Sequence, residues 1–327
     1  MRTRRDYAAA YGVGRLDPVI PLGQYPLPTH VVAHVSDPHL LAQRPLYGAI
    51  DTHETLRRAM GRLARLETPP QAIVFTGDLA DRAEPKAYAR LREIVEPAAA
   101  DLGAEAVWVM GNHDEREPYA RELFGLEATD EDPQDRVHDI AGLRVVALDT
   151  SVPGYHHGEL TGAQLEWLAR ELATPAPHGT LVALHHPPIP VPLLRAAELI
   201  ELHDQHLLAE VIAGTDVRGI IGGHFHFSSY STFAGVPVSV ASSTCYLADP
   251  APAGRLLSAV DGHQSLTMMH FYEDRVVHSV VPVPEADEMT GYPFELIEQI
   301  EALPPEERHE LLSAKDSPVW AHENPLD

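Results

Sequence analysis

Short apolar, β-branched runs alternate with helix-period patterns through most of the chain. HVVAHVSD (30–37), QAIVFTGD (71–78), AEAVWVMGNHD (104–114), LRVVALDTS (143–151) and TLVALHHPP (180–188) read as strands, each running into polar residues at its carboxyl end. Between them the spacing predicts helices over 51–66, 84–97, 161–173 and roughly 192–213. The first opens on Asp51 with Glu54 three residues later, as in a capping box, and carries Leu56, Met60, Leu63 and Leu66 on its apolar face. Pro97 is read as the stop of the second. After VRGIIGGHFH, the strands VPVSVAS (236–242), TMMHFYE (267–273) and RVVHSVV (275–281) follow without helices, so part of the sheet system is expected to be antiparallel.

Outside this pattern, residues 1–29 carry four prolines and little periodicity and read as an irregular arm. The body is 30–284, and 285–327 forms an acidic extension with one amphipathic helix expected near 293–313. Strands alternating with helices, then a strand-rich second half, predict an α/β layered fold. In such sheets ligands bind at the carboxyl ends of the strands.

Composition narrows the partners. The 327 residues include 48 acidic and 24 basic side chains, a formal net charge of −24. No basic stripe is available to neutralise phosphates, which argues against polymeric nucleic acid. A small anionic substrate remains compatible, because bound cations reverse the charge locally. Cys245 is the single cysteine, so an intrachain disulfide is excluded and a reducing, cytoplasmic setting is expected. MRTRRDYAAAYGVG has no apolar segment behind its arginines and is not read as a signal peptide, and no run is long enough for a membrane span.

Five strand ends carry metal-ligand chemistry: Asp37 and His39 in SDPH, Asp78 after Gly77, Asn112, His113 and Asp114 in GNHD, the pair His185-His186, and His224 and His226 in GGHFH. Each piece alone is common; five following predicted strands in one chain point to a metal centre. Carboxylate, imidazole and amide donors suit manganese, iron or zinc better than calcium. Met268, Met269 and the tryptophans and tyrosines read as packing.

The series D-x-H, GD, GNHD, H and GHxH, over residues 31–241, resembles the calcineurin-like metallophosphoesterase superfamily. SDPHL, FTGDLAD, WVMGNHD, LDTSVPG and LHHPPIP are similar to segments of bacterial class III cyclic-nucleotide phosphodiesterases. The resemblance implies a four-layer α/β/β/α sandwich with mixed sheets, residues 30–284 as the catalytic domain, and two first-row metal ions, iron and manganese foremost, with zinc or cobalt as alternatives. It assigns one metal to Asp37, His39, Asp78 and His226, and the other to Asp78, Asn112, His185 and His224. His185 is preferred to His186 only because the family uses the first histidine of this pair.

The implied reaction is hydrolysis of 3′,5′-cyclic AMP to 5′-AMP by a metal-bridging hydroxide, with 2′,3′-cyclic nucleotides and simple phosphodiesters also accepted. Asn112 would hold phosphate oxygens and His113 would protonate the leaving alkoxide. Asp114 would orient His113 or cap the following helix, and His156 would face the substrate. A homodimer is also implied. The alternative is another small phosphoester, diester or monoester, although GDLADR and GNHDER depart from the arginine-bearing motifs of protein phosphatases.

Overall fold

The computed structural model describes residues 20–292 and 295–320. Pro28–Glu285 packs as one compact unit, and the described segments on either side fall in a second. Most of the expected N-terminal arm, residues 1–19, lies outside the described residues.

Within the main unit two sheets form. The first has strand order β13-β12-β1-β2-β3, built from β1 (His30–Val35), β2 (Ala72–Thr76), β3 (Glu105–Val109), β12 (Ser265–Phe271) and β13 (Val276–Pro282). The second runs β4-β5-β6-β7-β9-β8, from β4 (Arg136–Ile140), β5 (Leu143–Leu148), β6 (Thr180–Leu184), β7 (Val217–Gly222), β8 (Ser229–Phe233) and β9 (Val236–Val240). Strands β1-β2-β3 and β5-β6-β7-β9 pair in parallel, and the remaining pairs are antiparallel. A short ribbon of β10 (Leu247–Ala248) and β11 (Ala259–Val260) stands apart.

Residue alternation produces the layers. On β1, Val31, Ala33 and Val35 pack with Leu56, Met60 and Leu63 of α1 (Thr52–Ala64) and Leu91 of α2 (Pro85–Leu102). Val32 points the other way, into a core that also holds Val74, Val145, Leu181 and Ala183, and so lies between the sheets. Val182 and Leu184 of β6 turn to a third core with Leu168 of α4 (Gly162–Leu172) and Leu208 of α5 (Gln205–Ile212). The order helix, sheet, sheet, helix is the expected four-layer sandwich.

The pattern misjudged several elements. α2 runs through Pro97 to Leu102 and ends on Gly103 in the left-handed conformation, because Ala98, Ala99 and Leu102 bury an apolar face that outweighs the lost hydrogen bond. The expected helix at 192–213 is a 3₁₀ turn, Arg195–Leu199, followed by α5 only. The helix expected at 293–313 is broken at Leu303-Pro304 into α6 (Glu295–Glu301) and α7 (Pro305–Ser313), residues 293–294 lying outside the described set. β4 and β8 were not anticipated; they are edge strands with partly exposed faces, which weakens apolar alternation. The helix expected directly after Asp114 is α3 (Arg116–Phe124).

Candidate metal centre

The parallel strands stop before their functional residues do. Asp37 follows β1, Asp78 follows β2, Asn112 follows β3, His185 follows β6 and His224 follows β7, so all five loops open on one rim. Asp37, His39, Asp78, His224 and His226 have φ values of 48°, 43°, 48°, 72° and 58°, the left-handed region that such side chains seldom adopt. The loops hold one another there: the Asp37 amide donates to Gly77 O (3.2 Å), His39 to Asp78 O (2.9 Å) and Gly223 to His185 O (3.0 Å). A Cβ on Gly111 would collide with the Asp78 carboxylate, and one on Gly223 with Ser36 Oγ and the Asp37 carboxylate. Those two positions need glycine because the backbone itself walls the site.

Asp78 is the hub. Its Oδ1 accepts the His113 amide at 2.8 Å, which leaves Oδ2 facing His39 Nε2 at 3.3 Å and His185 Nε2 at 3.4 Å. On one side His226 Nε2 lies 3.2 Å from His39 Nε2 and 3.3 Å from Asp37 Oδ1. On the other, His185 Nε2 lies 3.1 Å from Asn112 Oδ1, and the His224 ring is 5.0 Å from that of His185. Donors about 2.0–2.1 Å from a tetrahedral ion lie about 3.3–3.4 Å apart, which matches this spacing.

The imidazoles are prepared as ligands through their other nitrogens. His39 Nδ1 donates to Asp81 Oδ1 (3.1 Å), His185 Nδ1 to Thr76 O (2.7 Å), His226 Nδ1 to Tyr246 O (3.3 Å) and His224 Nε2 to Ile200 O (2.9 Å). Each ring therefore keeps its second nitrogen free for an ion. His39 and His226 face each other through Nε2 at 3.2 Å, a contact that one shared proton makes a hydrogen bond. A cation would take the place of that proton and draw a lone pair from each ring. The residues thus fit two ions: Asp37, His39, Asp78 and His226 for one, and Asp78, Asn112, His185 and His224 for the other.

Protonation follows the same logic. Burial opposes charge on His185, but Asp78 and its hydrogen bond raise it to about 9. Burial likewise opposes His226, which Cys245 and Asp37 raise to about 10. Burial also opposes the Asp37 anion, yet the His226 charge and hydrogen bond hold it at about 2. In the protein alone, protons occupy the place of the cations. The ion pairs of Asp37 and Asp78 among the described residues are all with histidines.

His186 is not placed like His185. Its Nδ1 meets Thr150 Oγ1 at 2.8 Å and its Nε2 donates to His156 O at 3.1 Å, so both nitrogens are committed, although it lies close to His185 and His224. His113 donates from Nδ1 to Asp81 O at 3.0 Å, leaving Nε2 free. His156 Nδ1 accepts from Asn112 Nδ2 at 2.9 Å, and that bond turns the Asn112 oxygen toward His185. Both rings line a cavity of about 260 Å³ above Asp78, with Tyr47, Tyr246, Leu194, Leu256 and Leu257.

Asp114 departs from both of its expected roles. Its oxygens accept from the amides of Leu79 (3.1 Å), Ala80 (3.1 Å) and Gly111 (2.9 Å) and from Tyr88 Oη (2.8 Å), none of them His113. Glu115, not Asp114, is the N-cap of α3. Asp114 staples the loop after β2 to the loop after β3, and burial, with the Asp78 charge, raises it to about 6. Sequence reasoning passed over Asp81, whose carboxylate and carbonyl hold His39 and His113; its place three residues after Asp78 in GDLAD was the available signal. Arg116 was also missed: it is buried, pairs with Asp149 at 2.9 Å and bonds Ser151 O at 3.1 Å.

Residues 30–228, more than half of the chain, match the calcineurin-like phosphoesterase family. The chain belongs to that family. This calcineurin-like phosphoesterase is 53% identical over 261 residues to a cAMP/cGMP dual specificity phosphodiesterase of Mycobacterium tuberculosis, covering 80% of this chain and 81% of the relative. It is 50% identical over 260 residues to a probable cyclic nucleotide phosphodiesterase of Rhodococcus erythropolis, covering 80% and 86%. Among solved structures, the purple acid phosphatase of yellow lupin seeds has a TM-score of 0.51 at 12% identity, over 81% of this chain and 53% of that one. That likeness concerns the fold alone.

Proposed function

We propose that this phosphoesterase hydrolyses 3′,5′-cyclic nucleotides, cyclic AMP to 5′-AMP in particular, and accepts 2′,3′-cyclic nucleotides and simple phosphodiesters. One observation carries the reading: two donor sets share Asp78 at the floor of a cavity walled by Asn112, His113, His156 and apolar and aromatic side chains. Identity of 53% to a dual-specificity cyclic-nucleotide enzyme supports the substrate class.

The chemistry that bound cations supply is Lewis acidity toward phosphoryl oxygen and a lowered pKa for water. The protein residues do the rest. Asn112 and His113 line the approach to the donor sets, where they would bind the phosphate and orient it for in-line displacement. His113 Nδ1 donates to Asp81 O, which leaves Nε2 as the atom that would hold and deliver a proton to the leaving alkoxide. His156, held against the Asn112 amide, would hydrogen-bond the substrate from its other nitrogen. Buried Leu194, with the exposed Leu256 and Leu257 at the rim, offers an apolar surface on which a nucleoside would rest.

The finer reading assigns iron and manganese to the two positions, cytoplasmic residence and a homodimer. Mixed oxygen and imidazole donors support the first, and the single, buried Cys245 the second. The dimer rests on family resemblance and is checked by light scattering. Among the described residues no helix is long and apolar enough to cross a membrane.

The test is a substrate panel on metal-saturated protein: cyclic AMP, cyclic GMP, 2′,3′-cyclic AMP, bis-p-nitrophenyl phosphate and p-nitrophenyl phosphate. Cyclic diesters should exceed the monoester in kcat/KM. A cyclic diester carries a single negative charge, and Arg116, the buried arginine beside the GNHD loop, is already committed to Asp149. A preference for the monoester, or no turnover of cyclic nucleotides, would overturn the proposal.

A further inference from the structure

A separate group of donors lies on the outer side of the loop that carries His156. His157 Nε2 stands 3.0 Å from Glu159 Oε1, and His203 Nδ1 stands 3.5 Å from the same oxygen. The two imidazoles stack with centroids 4.3 Å apart and planes inclined by 21°, and the three donor atoms lie within 4.8 Å of one another. No residue of this group belongs to the sets around Asp78.

Main-chain bonds fix the arrangement. The Gly158 amide donates to Glu201 O at 3.1 Å, the His203 amide donates to Gly158 O at 2.8 Å, and Gly158 and Leu202 form a parallel bridge. Glu159 is anchored through its amide to Thr150 O at 3.1 Å. The backbone thus brings two segments, 157–159 and 201–203, into register and sets their donors side by side. Two imidazoles and one carboxylate with donor atoms within 4.8 Å of one another make a donor set for a first-row dication once the rings turn out of their stack to point their in-plane lone pairs at one ion, and the nitrogens rule out a calcium-type site. The two N···O separations bracket the spacing of about 3.3–3.4 Å that a tetrahedral zinc imposes.

We propose that His157, Glu159 and His203 form a peripheral zinc-class metal site, with three protein donors and a fourth position left to water. The side chains are 18%, 54% and 47% exposed for His157, Glu159 and His203, so an ion enters directly from solvent. Its effect on the enzyme is mechanical. His156 precedes His157, its carbonyl accepts from His186 Nε2 at 3.1 Å, and its ring touches Asn112. An ion joining 157–159 to 203 braces the strap on which His156 is mounted.

The experiment uses full-length protein with the Asp78 centre loaded with manganese and excess ion removed. Zinc is then added in equilibrium dialysis, and manganese and zinc per chain are both counted. The expected result is one zinc bound beyond two retained manganese, with slower amide exchange at 154–159. Loss of even an outer partner of a metal ligand costs about 10–100-fold in affinity, so the His157→Ala/His203→Ala variant should bind that zinc at least about tenfold more weakly. The variant should keep both manganese ions and the wild-type melting behaviour in the absence of zinc, since these side chains lie at the surface. Glu159→Gln should weaken zinc without abolishing it. Zinc uptake only by displacement of manganese, or extra zinc retained equally in the double variant, would overturn the proposal. Neither result touches the cyclic-nucleotide reading, which the substrate panel decides.

Discussion

Asp78 and Asp114 show how two aspartates within one site differ. Asp78 spends one oxygen on a backbone amide and leaves the other between His39 and His185. Asp78→Ala should therefore lose most bound metal and nearly all hydrolysis; metal analysis finding two ions per chain would refute the hub assignment. His113→Ala should retain both ions while kcat falls by about 10²–10⁴-fold, the usual range for a lost proton donor. Metal loss in that variant would show that the ring helps to hold the ions, since the amide bond to Asp78 survives the substitution. Asp114→Ala strands three backbone amides and should cost on the order of 3 kcal/mol in urea unfolding. The motif GNHD singled Asp114 out, but sequence could not tell an aspartate that binds loops from one that orients a base, because its partners lie in GDLAD, thirty-odd positions away in the chain. Protons give a further test at this scale. His185 and His226 are raised to about 9 and about 10, above the 6.5 of an unpaired histidine. Their contribution to metal-free stability is thus complete below about pH 6.5 and is lost as pH climbs toward 9–10. Metal-free protein should melt at progressively lower temperature from about pH 7 to about pH 10, and metal-loaded protein should not. Calorimetry across that range checks both halves.

At the level of elements, the parallel strands were the most legible part of the chain. β1, β2, β3, β5 and β6 are apolar on both faces because both lie in cores, and such runs stand out against polar loops. Their ends were overestimated by one to several residues. HVVAHVSD continues in extended style to the eye, yet the strand stops at Val35 so that Asp37 can turn left-handed toward Asp78. Helix ends depended on what packed against them. Pro97 should have closed α2 locally, but burial of Ala98, Ala99 and Leu102 carries the helix on to Gly103. Pro97→Ala restores an amide donor without disturbing that face and should stabilise the protein by about 1 kcal/mol or more, part of the cost of about 3 kcal/mol for an interior proline. A fall in melting temperature would mean that the proline's own contacts hold the helix in place. The overpredicted helix at 192–213 contains Leu202-His203, which instead pair with the Gly158 strap; apolar residues there recur at helical spacing but serve a loop.

For the whole molecule, the balance of 48 acidic against 24 basic residues means that the chain repels itself. Two bound dications offset part of that burden. At a free metal concentration of about a thousand times Kd, each site should add about 4 kcal/mol to stability, and chelation should lower the melting temperature accordingly. Added salt should raise the melting temperature of the chelated form more than that of the loaded form, since screening acts on charge not already neutralised. Equal responses would show that the centre contributes little to the electrostatic load. The left-handed turns at Asp37, His39, Asp78, His224 and His226 carry a further meaning. Main-chain hydrogen bonds tie the loops that carry these turns to one another, so the chain's own bonding gives the metal site its shape. Maturation then resembles filling a mould: whichever suitable ions the cell has in supply when a finished chain meets them are the ions it keeps, and protein harvested from iron-rich and manganese-rich cultures should differ in content while sharing one shape.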